Sequence, residues 1–211
     1  MTTTAGTALR RFVGVATDPQ TYRNVSYLLL TFPLGLLYFT VLWGGGVAGV
    51  ALLPLFLLGL PVLVGVLAVA THLADLETRL ARGLLDSDVI YERPRPAEES
   101  LVEYVKRVTT DIRSYSALGY LLSKFAIGTA AFTALTTAAA LSVALTFAPV
   151  LYDVPGFHYN FGVLTVESFP VALACSGAGV LVALLSLHAC NLATRALDEY
   201  TKLMLGSERA E

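Results

Sequence analysis

A handful of side chains in this sequence have types and spacing that could do chemistry. His72 and His188 stand at corresponding places near the ends of two apolar stretches. Imidazole is the usual ligand for a haem or metal held between helices, so the pair could serve a membrane electron carrier. Each reads first as an interfacial polar residue bonded to a backbone carbonyl or a neighbour. Lys124 falls about two turns into another apolar stretch. A charge there marks a binding function by default, while a lysine near the boundary can also snorkel to lipid phosphate. Asp153, His158, Tyr159 and Glu167 are the polar groups of the segment 149–168, where an outside ligand would be met. Cys175 and Cys190 lie on one expected helix, about 22 Å apart at 1.5 Å per residue, and cannot pair. No Ser-His-Asp grouping, phosphate-cradling glycine motif, CxxC pair or cluster of intramembrane carboxylates is legible. The sequence therefore points away from an enzyme, and no cofactor is expected apart from the haem alternative.

The elements that would position these residues are set by composition. The mean hydropathy is +0.68 and charged residues make up only 14% of the 211, far from a soluble surface. Residues 24–74 hold no Asp, Glu, Lys or Arg, and further uncharged runs precede Asp153 and Arg195. Spans of about 20 residues fit these runs at 24–43, 47–73, 118–148 and 169–192. Gly44-Gly45-Gly46 reads as the first turn, and Pro54 and Pro61 as kinks in the second span. All 14 Lys and Arg fall within 10–23, 79–124 or 195–209. Both termini and the 87–97 linker are thus expected in the cytoplasm, with 149–168 outside as a short hairpin-like loop turning at Asn160-Phe161-Gly162. The first 18 residues lack a long apolar core, so no cleaved signal is expected. A net charge of −2 without a dense basic cluster excludes a nucleic-acid surface.

The chain also repeats itself. TDPQTYRNVSYLLLTF from Thr17 returns as TDIRSYSALGYLLSKF from Thr110, and across 17–42 the offset of 93 matches Thr17, Asp18, Tyr22, Tyr27, Leu28, Leu29, Phe32, Gly35, Phe39, Thr40 and Leu42. A second block, His72, Leu76, Thr78 and Arg79, meets His188, Leu192, Thr194 and Arg195. The reading is one membrane domain over 1–211 made of two units, about 8–86 and 98–206. Each would hold a cytoplasmic amphipathic helix, a helical hairpin and an exit helix. Because both begin inside, the hairpins are expected in parallel topology. Phe32, Gly35 and Phe39, with Phe125, Gly128 and Phe132, form matched faces on which a glycine admits a neighbouring helix. Leu101, Val105, Val108 and Ile112, continuing to Tyr115, step as a heptad seam that could cover the bundle, lie on the membrane or dock a partner.

The pattern YLLLTFPLGLLYF, the exit segment HLADLETRLARGLL, its partner LHACNLATRALDEYTKLMLG and the two-half layout resemble the putative sensor domain family over about 18–206. These are prokaryotic four-span modules, often N-terminal to histidine kinases or other signalling outputs, and also found alone. The resemblance implies a sensory or regulatory role. Since only GSERAE follows Leu205, the signal is expected to pass to a separate protein partner. The expectation is an all-α, four-span protein of the cell membrane, in contact with the bilayer and possible as a homodimer. The alternatives are the electron carrier using His72 and His188, and an accessory subunit of a membrane complex.

Overall fold

The computed structural model describes residues 7, 10, 12–55, 58–89, 101–154, 160–161, 164–166 and 168–206. Four long apolar helices dominate it: α1 (Pro19–Ala51), α2 (Gly59–Leu85), α4 (Ile112–Thr146) and α6 (Phe169–Leu205). Each is long and apolar enough to cross a membrane. Shorter helices are α3 (Leu101–Thr110) and α5 (Ala148–Leu151). Two-residue strands β1 (Asn160–Phe161) and β2 (Leu164–Thr165) pair antiparallel, Phe161 opposite Leu164. Asn160 and Phe161 thus belong to a strand rather than to the turn expected there.

Residues 23–132 with 193–211 form one compact unit, and residues 1–22 with 133–192 form another. In the second of these, Ser142 Oγ donates to Gly179 O at 3.0 Å and Ser176 Oγ to Thr146 O at 3.0 Å, fastening α4 to α6. In the first, a core of Tyr38, Leu42, Ala70, Ala74, Ala117, Tyr120, Leu121 and Leu205 is drawn from all four long helices.

The first turn is not where the glycines suggested it. α1 runs through Gly44-Gly45-Gly46 to Ala51, and the chain reverses around a 3-10 turn at Leu53–Leu55. A Cβ on Gly45 would come within 2.7 Å of Val66 Cγ2, and one on Gly49 within 2.6 Å of Leu63 Cδ2. These glycines let α1 and α2 lie close, which is a packing role and not a turn role. Pro54, which has no N–H to donate, sits in the reversal, and Pro61 falls in the first turn of α2, where its missing N–H costs nothing. Neither kinks a span.

The starts of α1 and α4 are built alike. Asp18 Oδ1 accepts from Gln20 N at 3.0 Å, and Asp111 Oδ1 accepts from Arg113 N at 3.0 Å. The Tyr22 hydroxyl donates to Ala16 O at 2.7 Å, and the Tyr115 hydroxyl to Thr109 O at 2.9 Å. The same residues 93 positions apart thus make the same bonds, the aspartates to an N–H of the starting helix and the tyrosines to a carbonyl of the helical segment before it.

Candidate functional site

α2 buries Leu67, Ala70, Thr71, Ala74, Glu77, Thr78 and Ala81, a stripe at helical spacing made mostly of small residues. Glu77 is the exception in charge. It is drawn into the core because its carboxylate finds three donors there. Lys124 Nζ from α4 lies 2.6 Å from Glu77 Oε1, the Tyr27 hydroxyl donates to the same oxygen at 2.8 Å, and the Tyr38 hydroxyl donates to Oε2 at 3.0 Å. Lys124 also donates to the Tyr27 hydroxyl at 2.7 Å. Its ammonium stands over the rings of Tyr27 and Tyr120, 4.7 Å and 5.4 Å from their centroids. Both charged side chains are essentially sealed, 1% exposed for Lys124 and 2% for Glu77. A buried charge pair is tolerable only when hydrogen bonds satisfy the remaining lone pairs and protons, which the tyrosines do here.

The network reaches α6. Tyr120 and Thr201 hydroxyls are 2.8 Å apart, and Thr201 spends its proton on Leu197 O at 2.7 Å, so Tyr120 is the donor. The Tyr200 hydroxyl donates to Ser123 Oγ at 2.8 Å, since Ser123 donates to Tyr120 O. One polar cluster thus joins all four long helices inside an otherwise apolar core.

The contact that brings α1 to α4 is made at the glycines. A Cβ on Gly35 would lie 2.6 Å from Lys124 O, and one on Gly128 would lie 2.6 Å from Thr31 O. Only glycine permits so close a backbone approach. Phe32 stacks on Phe132 and Phe39 on Phe125, each with centroids 4.7 Å apart. Positions rise along α1 as they fall along α4, so the two helices pass in opposed senses and not in the parallel relation expected. The physical reason is that a face reading Phe-Gly-Phe is nearly the same in either direction. Matching faces fix what meets, not the sense in which it meets.

Other expected site residues fall differently. Lys124 does not snorkel; it is buried and paired. His188 Nε2 lies 3.0 Å from Phe12 O, and its ring stacks on Phe12 at 5.0 Å. His72 is exposed on α2. Among the described residues no group of three or more His, Cys, Asp or Glu is placed to hold a metal. Asp153 is exposed just beyond α5, while His158, Tyr159 and Glu167 lie outside the described residues. The heptad seam is interrupted at Asp111, between α3 and α4. Leu101 opens α3, Val108 is buried, and Val105 and Ile112 are exposed, Ile112 by 78%. A continuous seam fails because Asp111 caps α4 and so resets the helical phase. Cys190 is buried and Cys175 half-buried, and neither is in a disulfide.

Glu77, Tyr27, Tyr38, Tyr120 and Thr201 were not singled out as site residues from sequence. A signal existed in the repeat itself: Lys124 replaces Thr31, and Glu77 replaces the residue corresponding to Ala193. Each half has gained one charge where the other has none, and the two charges meet.

A family model described as "Putative sensor" matches residues 27–205, from the first tyrosine of the network to the last turn of α6. The chain belongs to this family. Comparison with curated proteins and with solved structures gives no match. Tyr27, Tyr38, Glu77, Tyr120, Lys124 and Thr201 of the cluster all lie within the matched residues. Family membership supports a sensor-like role, and the four long apolar helices support a membrane location.

Proposed function

We propose that this protein is a non-enzymatic, sensor-like regulatory membrane protein that changes the packing of its four long helices in response to a stimulus and passes the change to a separate protein partner. The observation that carries the reading is the Lys124–Glu77 pair. Its groups come from different halves of the sequence, and it is held by tyrosines within a core that all four long helices share. Packed cores with discrete polar contacts switch between arrangements rather than deform smoothly, which suits a relay. A stimulus acts by binding or favouring one arrangement over the other.

The test is to tag the full-length chain in its native membrane, cross-link, and identify what travels with it, for wild type and for Lys124→Met. A recurrent partner at fixed stoichiometry, whose association or output changes in a Lys124→Met protein that still unfolds cooperatively, supports the reading. A partner unaffected by the variant places the chain as an accessory subunit instead. A Soret band in the purified protein, lost on replacing His72 or His188, replaces the reading with an electron carrier.

A further inference from the structure

Beside the core lies an apolar groove of about 700 Å³, lined by α1, α2 and the first turns of α4. Its lining runs from buried Leu42 and Leu67 to exposed Trp43 and Tyr115. That volume sits within the range of small-molecule sites, roughly 300–1,000 Å³. Among the described residues no charged or amide side chain lines it. The Tyr115 hydroxyl, one of its few polar groups, is already donating to Thr109 O. Water needs two or more polar partners to stay in such a space, and a polar ligand needs convergent donors or acceptors. The groove offers neither. Its walls belong to helices long and apolar enough to cross a bilayer, so the phase around it is hydrocarbon.

We infer that the groove is a binding site for one hydrocarbon chain of a bilayer lipid. The inference rests on the sensory reading for its meaning and names the ligand class of the sensor. The route inward is short: Leu42 belongs both to the groove and to the core cluster with Tyr38 and Tyr120, and Leu118 and Leu122 line the groove and pack against that cluster. Tyr38 and Tyr120 hold the two ends of the polar network, on Glu77 and on Thr201. A chain entering the groove therefore presses on the residues that support the buried ion pair.

The sole tryptophan of the chain, Trp43, lines the groove and reports on it. The experiment titrates the full-length protein in detergent micelles with phosphatidylcholine carrying brominated acyl chains and follows quenching of Trp43. Gly46 lines the groove, and a Cβ there meets nothing within 4 Å, so Gly46→Phe places a ring in the space. Gly44 is equally open but does not line the groove, and Gly44→Phe is the control. The expected result is saturable quenching in wild type and Gly44→Phe, with the half-saturation concentration raised by about tenfold or more in Gly46→Phe. Ala51→Phe, at another lining position, repeats the test should Gly46→Phe lose cooperative unfolding. Quenching that grows in proportion to the brominated fraction, without saturation and alike in all variants, is ordinary contact with surrounding lipid and overturns the inference. The measurement does not involve the protein partner, so it fails or succeeds independently of the partner experiment.

Discussion

Replacing Lys124 by methionine removes the only cation bonded to Glu77 among the described residues and leaves a carboxylate buried with two phenol donors. Breaking a sealed ion pair from one side costs about 3–5 kcal/mol, so Lys124→Met and Glu77→Leu should each lower stability by that order. The double variant Lys124→Met/Glu77→Leu leaves no buried charge, but the Tyr27 and Tyr38 hydroxyls then lack their acceptor, at about 1–3 kcal/mol each. Adding Tyr27→Phe and Tyr38→Phe removes that penalty as well. The quadruple variant should return to within ~2 kcal/mol of wild type or exceed it, as apolar replacements of buried pairs do. The assay is equilibrium unfolding of each variant in mixed micelles, arranged as a double-mutant cycle. A coupling energy between positions 77 and 124 of about 2 kcal/mol or more is expected. Single variants that each cost under ~1 kcal/mol and add without coupling would refute the network as the fastening of the core. The same quadruple variant should be silent in any partner-dependent output, because stability without the polar cluster removes the discrete contact a switch needs.

Gly35→Ala and Gly128→Ala should each destabilise by about 1–3 kcal/mol, since the new Cβ meets backbone that cannot move aside. Gly44→Ala, with nothing near it, should be neutral or stabilising by up to ~1 kcal/mol through helix propensity, and thermal unfolding of the three variants checks the contrast. His188→Ala should release the segment around Phe12, losing a hydrogen bond and a ring stack worth about 1–2 kcal/mol together; faster tryptic cleavage at Arg10 is the readout. Because α1 and α4 pass in opposed senses, single cysteines at Leu53 and Asp153, beyond their ends, should not both be labelled from outside intact cells. Labelling of both, as the distribution of Lys and Arg alone would give, would refute the opposed packing in the membrane. Visible absorption of the purified protein is expected to be featureless, and a Soret band dependent on His72 or His188 would contradict that expectation.

The sequence by itself determined the material of this protein. Uncharged runs longer than a bilayer needs could only become long apolar helices, because backbone groups in hydrocarbon must be bonded within their own segment. Some matched residues were equally legible: Asp18 and Asp111 start their helices alike, and Gly35 and Gly128 make the same close approach, because local capping and small size act wherever the residue stands. Helix ends were less legible. Three consecutive glycines read as a turn, yet α1 runs through them, with Gly45 facing Val66 and Gly49, a turn further on, facing Leu63. The site was the least legible part. Glu77 and Lys124 are 47 positions apart, on helices whose pairing no period in the sequence encodes, and a charge at a span boundary reads the same whether it turns to lipid phosphate or to a carboxylate. Only the tertiary structure decided between them, because the free energy of a buried charge depends on which groups the other helices bring to it.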